Sequence, residues 1–393
     1  MKKRIAIYIV AHLFLMTGFA QSNIDLILMQ VEANNKSIVT NKKYWDAKRL
    51  EYKTGLTPYD PQVEYDYLFG SPVGAGNQKD FSLTQRLDFP TAYKRKKELS
   101  KRQTVQTEIQ QNVFRQDILL EAKLLLLDVI YMNKKRVELS RRLAQTKQLL
   151  SDYEKKLEKG DVIILDVNKT KLQLLNVKND DVLNQNDRQI ALTKLRELNS
   201  GIAVDVIDTL YPAISVIPDF EILDSTIEAN DPLIKLYEQE NLIQQQQLAL
   251  QKAMNLPKIE TGYHSQGILG QNYRGFHSGI TIPLWENKNR VKAAEANLEH
   301  VTANADRHRL EHRMENMRLY EQLEIRKNTM EEYSQLVSSI NNTALLDKAL
   351  RFGEITIVQY FMDQAYYFTA YDKYLQLERE YHKAIAELYK YTL

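Results

Sequence analysis

Cysteine is absent from the chain of 393 residues, and charge of neither sign is in marked excess. Without cysteine there are no disulfide bonds, thiolate metal ligands, cysteine nucleophiles or lipid-modified N-terminal cysteine. Lysine and arginine number 53 against 51 aspartate and glutamate residues, which leaves a formal net charge of +2. A chain this close to neutrality gives no electrostatic argument for a nucleic-acid partner, and we expect none.

Long hydrophobic runs are missing after the first twenty residues. Positions 2–4 are basic, positions 5–15 are mostly apolar, and positions 18–20 offer small residues for cleavage. This pattern predicts a signal peptide at 1–20 and an exported protein. A retained membrane anchor is the alternative, but the apolar stretch is shorter than the ~20 residues that a helical span needs. The best later stretch, 119–131, is short and charged. Any membrane crossing is therefore expected to use β-strands.

Glycine and proline are absent from two long segments. Neither occurs in the 69 residues from Thr91 to Lys159, nor in the 69 residues from Leu284 to Phe352. Because these residues are the strongest helix breakers, each segment predicts a continuous α-helix about 100 Å long at ~1.5 Å per residue. Apolar residues recur at helical spacing in both, as in helices that pack along one another. These residues are Leu119, Ala122, Leu126, Val129 and Ile130 in the first helix and Leu310, Met314, Met317, Leu319 and Leu323 in the second.

The chain also contains an internal repeat. Val31-Glu32-Ala33-Asn34-Asn35 returns 196 positions later as Ile227-Glu228-Ala229-Asn230-Asp231. Pro61-Gln62-Val63-Glu64 returns at the same offset as Pro257-Lys258-Ile259-Glu260. A repeat of this length is too long for a solenoid unit and indicates a duplicated half-molecule.

Short segments of alternating polarity lie where glycine and proline cluster. They predict strands near 61–69 and 79–89 in the first half and near 258–266 and 274–284 in the second. Strands of about ten residues with one apolar face are typical of a lipid-facing barrel wall, although a soluble hairpin packed on its own helices would show the same pattern. Four strands cannot close a barrel, so several chains would have to share one.

Motifs for catalysis or cofactor binding are missing from the sequence. There is no hydrolase nucleophile elbow, P-loop or dinucleotide fingerprint, so we expect neither an enzyme nor a cofactor. His308 and His312 lie four residues apart, a spacing that can bind a metal on one helix face. Without a third ligand nearby in the sequence, a solvated or packed helix face is the simpler interpretation, and no metal site is predicted.

The order helix, β-hairpin, long helix, turn and shorter helix, given twice, resembles the TolC-type outer membrane efflux proteins. The resemblance covers nearly the whole mature chain. It rests on Asn230-Asp231-Pro232-Leu233-Ile234, Leu256-Pro257-Lys258-Ile259, Gly279-Ile280-Thr281-Ile282-Pro283-Leu284 and Phe352-Gly353-Glu354-Ile355-Thr356-Ile357-Val358. It implies a mainly α fold with a small β part: a homotrimer whose helices form an α-barrel tunnel through the periplasm. Each chain would give four strands to one shared twelve-stranded β-barrel in the outer membrane.

The resemblance also implies a domain organisation and a function. The first repeat would cover 21–200 with its long helix at 91–159, a connector 201–225, and the second repeat 226–393 with its long helix at 286–352. The protein would be the passive exit duct of an efflux or type I secretion system in a Gram-negative cell. Its partners would be outer-membrane lipid, a periplasmic adaptor protein and an inner-membrane pump. A soluble periplasmic coiled-coil adaptor or scaffold is the alternative, and an exported metal-binding protein is a third.

By the same resemblance, two glycine turns form the periplasmic mouth where the adaptor docks. They are Lys159-Gly160-Asp161 and Phe352-Gly353-Glu354. Glycine accommodates the left-handed backbone that reverses one helix into the next, and a plain helix turn without a partner is the alternative. Gln359 and Met362 stand where the best-known members carry mouth carboxylates. The possible mouth carboxylates are therefore Asp161, Asp166, Glu354 and Asp363.

Overall fold

The computed structural model describes residues 23–214, 216–340 and 343–393 of the chain. The predicted signal peptide at 1–20 lies outside the described residues. The helices are α1 (Asn23–Asn34), α2 (Lys36–Glu51), α3 (Pro90–Glu158), α4 (Ile164–Leu198), α5 (Phe220–Asn230), α6 (Pro232–Met254), α7 (Arg290–Ser339), α8 (Thr343–Arg351) and α9 (Ile357–Leu388). The strands are β1 (Gln62–Leu68), β2 (Gln78–Leu87), β3 (Lys258–Ile268) and β4 (Gln271–Thr281). None of the described helices combines the length and the apolar content that a membrane span requires.

The longest element is α3, which runs for 69 residues without interruption from Pro90. Proline at the first helical position costs no hydrogen bond, because that backbone N–H has no intrahelical partner. The predicted apolar face is buried, with Leu126 and Val129 fully inaccessible to solvent. It forms the main core together with Val31 of α1 and Leu195 of α4. The sequence placed this helix at 91–159, one residue from its observed position.

The second long helix is interrupted, and the prediction of an unbroken helix over 286–352 is wrong. Helix α7 covers only Arg290–Ser339, and α8 begins at Thr343. Ser338 and Ser339 donate hydroxyl hydrogen bonds to backbone carbonyls in the preceding turn. Serine and asparagine side chains compete with the helix for backbone groups in this way, so a helix can end without glycine or proline.

The described strands form one antiparallel sheet in the order β1-β2-β3-β4. The central pair joins the two halves of the chain, with Leu83 of β2 opposite Tyr263 of β3. The outer pairs are hairpins within each half, with Tyr65 opposite Phe81 and Tyr263 opposite Phe276. Side chains directly opposite one another share a face, so this register places most of the apolar strand residues on one face of the sheet, whereas Leu68, Ile268 and Tyr273 lie on the other.

The turn between β3 and β4 is shorter than predicted. The sequence placed the strands near 258–266 and 274–284 with a longer loop between them, whereas only Leu269 and Gly270 separate the observed strands. Both residues have positive φ, of 48° and 80°. A two-residue type I′ turn requires this backbone, and it matches the twist of the flanking strands.

The helices form a layer in the same order as the sheet. Helix α3 packs against α2 and α4 on one side and against α6 and α9 on the other, and α6 and α9 pack in turn against α7. Helices α2 and α4 therefore form the edge on the side of β1, and α7 forms the edge on the side of β4. Both edges expose apolar side chains: Leu172, Leu175, Val182, Leu183 and Ile190 on α4, and Leu310, Met314, Met317 and Ile325 on α7.

The two halves repeat the same elements. Two helices, a β-hairpin, a long helix and a shorter helix follow one another in each half, with α8 as the extra piece of the second long helix. The segment between the halves packs on the first half: the side-chain amide of Asn133 donates to the backbone carbonyls of Val206 and Asp208. A duplicated, mainly α fold with a small β part is thus confirmed.

Candidate functional site

Two helix-to-helix turns carry the residues predicted for the mouth, and their backbones match. Gly160 follows α3 with a φ of 79°, and Gly353 follows α8 with a φ of 76°. The next residue at each turn, Asp161 or Glu354, donates its N–H to the carbonyl oxygen five residues earlier, at 2.9 Å in both cases. This is the Schellman motif, which satisfies helix-end carbonyls and needs a left-handed residue. A Cβ at either glycine would contact nothing within 4 Å, so the backbone alone requires glycine.

The two turns lie at the same end of the molecule and share a small core. Its buried members are Tyr153, Val167, Leu350, Ile357 and Tyr360. The hydroxyl of Tyr360 donates to Asp347 at 2.7 Å and accepts from the amide of Gln364 at 3.0 Å. Burial, with a smaller contribution from Asp347, raises the pKa of Tyr360, so the hydroxyl stays protonated and remains a donor. This core fixes one turn relative to the other.

The possible mouth carboxylates differ in their surroundings. Asp161 and Glu354 are exposed directly after the glycines. Asp166, in the first turn of α4, accepts a hydrogen bond from Lys169 at 3.2 Å. Asp363 on α9 is exposed and has no ion-pair partner among the described residues. A ring of such carboxylates needs further copies of the chain, so their role at a mouth stays a prediction.

Exposed apolar side chains surround the turns, and of these only Phe352 was among the predicted docking residues. Phe352, beside Gly353, is 72% exposed. Ile163, Ile164 and Leu165, at the start of α4, are each more than half exposed. We call these four apolar residues the mouth surface. Exposed apolar residues that flank both turns at one end of a molecule are typical of a protein contact. The signal in the sequence was the apolar run directly after the first glycine turn.

One face of the sheet is apolar and open. We call it the apolar sheet face; its most exposed members are Val63, Tyr65, Phe276 and Ile280, which are 62%, 62%, 89% and 71% exposed. Described helices do not cover these side chains. In the single chain, therefore, the described hairpins do not pack on their own helices, as that alternative required.

The opposite face of the sheet is mainly polar. Arg86 donates to Glu260 across the β2–β3 pair at 2.8 Å, and the ring of His277 lies against Gly262, where an added Cβ would come within 2.4 Å of it. On the same face, Asp66 of β1 lies directly opposite Asp80 of β2. Like charges opposite each other destabilise a dry sheet, so this face is suited to water.

His308 and His312 pack between helices. The ring of His308 stacks on Tyr237 of α6, with 4.2 Å between the ring centroids. Nε2 of His312 lies 3.4 Å from Oδ2 of Asp231, which is fully buried. Asp231 also caps α6 by accepting the N–H of Leu233 at 2.7 Å. Across the described residues, no group of three or more histidine, aspartate or glutamate side chains could hold a metal ion.

The comparisons with known proteins concern the fold. No protein-family model and no curated protein matches the chain, but solved structures do. CusC, studied for the conformational changes that accompany folding and transmembrane channel formation, has a TM-score of 0.78 at 12% identity, covering 95% of this chain and 92% of that chain. The outer-membrane channel OprN has a TM-score of 0.77 at 14% identity, and the match covers 94% of this chain and 89% of that chain. The MtrE outer membrane channel of Neisseria gonorrhoeae has a TM-score of 0.69 at 13% identity, and the match covers 94% of this chain and 88% of that chain. The chain has the fold of the TolC-type outer membrane efflux proteins.

In this TolC-type fold the two candidate surfaces lie far apart. Helix α3 begins two residues after β2 and ends beside Gly160, at the mouth surface. At ~1.5 Å per residue its 69 residues span about 100 Å. The apolar sheet face and the mouth surface are therefore at opposite ends of one long molecule.

Proposed function

We propose that this protein is a passive exit duct in the outer membrane of a Gram-negative bacterium. It would serve a tripartite efflux or type I secretion system. The observation that carries this proposal is the sheet, whose apolar face is exposed and whose outer strands, β1 and β4, each have one edge unpaired by any described strand. The fold shared with outer-membrane channels supports it.

The sheet favours a barrel shared between chains. An exposed apolar face finds its partner in lipid, and strand edges in lipid must be paired, because no water is present to satisfy them. Four strands are too few to close a barrel, so β4 of one chain would pair with β1 of the next. Three chains would then give twelve strands, with the polar face that includes Asp66 and Arg86 lining a wet interior.

The helical layer favours the same assembly. Its two edges, α2 with α4 on one side and α7 on the other, expose different apolar stripes. An interface between two different edges is heterologous, and it generates a ring when the rotation between copies closes. A ring of three chains buries both stripes and encloses a tunnel that continues from the barrel.

The mouth surface is the expected docking point for a periplasmic adaptor. Ile163, Ile164, Leu165 and Phe352 lie at the end farthest from the sheet and are open in the single chain. An adaptor linked to an inner-membrane pump would cover them. Energy for export would come from that pump, because a wet, polar path lowers the barrier to crossing without any chemistry in the duct.

The proposal is tested by imaging and by labelling. The protein extracted from outer membranes in detergent should form particles of three chains, shaped as a cylinder over about 100 Å long.

Because the chain lacks cysteine, single introduced cysteines can report whether each sheet face is open to water. In vesicles, a water-soluble maleimide should label His264→Cys on the polar face and leave Phe276→Cys on the apolar face unlabelled. A compact monomer in the soluble periplasmic fraction, with both cysteines labelled, would overturn the duct and favour the adaptor or scaffold.

A further inference from the structure

The segment between β4 and α7 differs from its counterpart in the first half. Eight residues, 282–289, separate β4 from α7, whereas two residues, 88–89, separate β2 from α3. In the short linker, Asp88 is 2% exposed and binds Lys96 at 2.8 Å. The longer one, which we call the β4–α7 linker, exposes large apolar side chains. Ile282, Leu284 and Trp285 are 63%, 68% and 80% exposed.

The β4–α7 linker is held in place by polar contacts on its inner side. The buried amide of Asn287 donates to the backbone carbonyl of Met254 at 2.7 Å. The N–H of Lys288 donates to the carbonyl of Trp285 at 3.1 Å and closes a turn. Asn289 then takes a left-handed φ of 65° before α7 begins. These contacts fix the turn against the end of α6 and leave the indole of Trp285 pointing outward.

The exposed residues continue the apolar sheet face toward the helices. Phe276 and Ile280 belong to that face, and the exposed Ile282 and Leu284 follow directly beyond the end of β4, where the N–H of Leu284 donates to the carbonyl of Ile282 at 3.0 Å. Trp285 stands at the end of this series, four residues beyond the strand. An indole has an apolar body and one N–H donor, which suits the boundary between hydrocarbon and headgroups.

The charges that follow fit the same boundary. Glu286 is neutralised by Lys258, whose Nζ lies 2.8 Å from its carboxylate. Lys288, Arg290 and Lys292 come next and are exposed. Lysine and arginine beside a membrane surface bind lipid phosphates, and their stems reach past apolar surface. Along the β4–α7 linker and the start of α7, the exposed side chains therefore change from aliphatic to indole to cationic within about ten residues.

We infer that Ile282, Leu284 and Trp285 form an anchor that contacts phospholipid headgroups and glycerol at the membrane surface facing the helices. This inference rests on the proposed function. Each copy of the chain contributes one such anchor. A second copy of the chain covering the same residues is the competing occupant, and the test separates the two.

The chain has two tryptophans, so fluorescence can report each alone. Trp45→Phe leaves Trp285, and Trp285→Phe leaves Trp45 of α2. A third variant, Phe276→Trp with both natural tryptophans replaced by phenylalanine, reports the centre of the apolar sheet face. Each is placed in vesicles of phosphatidylcholine brominated at a shallow, middle or deep position of the acyl chain. Bromine quenches an indole only on contact.

The expected result is a depth order. Trp285 should lose most fluorescence with shallow bromines, the tryptophan at 276 should lose most with deeper ones, and Trp45 should lose none. Quenching of the tryptophan at 276 without quenching of Trp285 would overturn the anchor. The β4–α7 linker would then be a contact between copies, and the proposed function would still hold. Absence of quenching at 276 would refute the membrane sheet itself. Trp285→Tyr should keep the protein in the membrane fraction, and Trp285→Glu should weaken its retention.

Discussion

Arg115 of α3 and Glu32 of α1 form a bidentate ion pair that joins the two helices. Nε and Nη2 of Arg115 donate to the two carboxylate oxygens of Glu32 at 2.6 and 2.7 Å. In the second half, Arg309 of α7 meets Glu228 of α5 at 2.7 Å. Glu32 and Glu228 are equivalent positions of the sequence repeat. Each half therefore ties its first helix to its long helix with the same chemistry.

Replacing Glu32 tests how much this pair stabilises the first half. We expect Glu32→Gln to lower the free energy of unfolding by about 1 kcal/mol or less, because the pair is only partly buried and solvent screens it. The loss should shrink at high salt. Denaturant unfolding at two salt concentrations measures it. The exposed Glu158, at the end of α3, provides the control Glu158→Gln. Equal effects of the two variants would contradict a specific pair.

The glycine turns at the mouth give a second prediction. Gly160→Ala and Gly353→Ala should each cost about 1–2 kcal/mol, because a Cβ strains the left-handed backbone even where space is open. Gly160→Asn should cost less, since asparagine tolerates this conformation better. Thermal unfolding of the detergent-extracted protein compares them. Gly275→Ala is the matched control: its site is equally open and its φ is ordinary. A loss at Gly275 as large as at Gly160 would contradict backbone strain as the cause.

Much of the fold was predictable because it depends on local rules. The bounds of α3 followed from the absence of helix breakers between Pro90 and Gly160, and the apolar face of α3 followed from helical spacing. The four strands followed from alternation. The break after Ser339 was missed, because serine competition with the helix is weaker than a proline or glycine signal and depends on context.

The candidate site was only partly predictable. The turns at Gly160 and Gly353 were located from sequence because their left-handed backbone selects glycine. The exposure of Phe352 and Trp285 was not predictable, because it depends on what the tertiary structure leaves uncovered. The packing of His308 on Tyr237 likewise required knowing which helices meet. The spacing of residues in the sequence predicts which side chains are neighbours on one helix, but not which side chains of another helix they contact.

Helix continuity in α7 gives a third prediction. Met317 lies in mid-helix and is 41% exposed, so its side chain contributes little to the core. Met317→Ala keeps the helix and removes only side-chain contact of the α7 stripe between copies, so it should cost less than the proline variant and leave assembly intact. Met317→Pro removes a backbone hydrogen bond and clashes with the preceding turn, at a cost of about 3 kcal/mol or more, and we expect it to abolish assembly. Light scattering and thermal unfolding compare the pair. Folded three-chain particles from the proline variant would contradict the helical structure at this position.

His382 gives a prediction about pH. Its ring stacks on Tyr211 with 4.2 Å between the centroids. Burial, with a smaller contribution from Lys134, lowers the pKa of His382 to about 4. An unfolded histidine has a pKa of about 6.5, so between these values the unfolded chain binds a proton that the folded chain does not. Stability is unaffected above pH ~6.5 and falls as the pH decreases toward ~4, by up to about 3 kcal/mol.

Replacing His382 with a ring that cannot titrate isolates this contribution. His382→Phe keeps an aromatic ring against Tyr211, so the folded structure should persist. Its melting temperature should fall less than that of the unmodified protein between pH ~6.5 and ~4. His300→Phe, at an exposed position of α7, should leave the acid dependence unchanged. The pKa of His308 is also lowered, by burial and by His312, so some acid dependence remains in His382→Phe. If His382→Phe and His300→Phe lose the same stability in acid, the buried histidine is not the group that responds to pH.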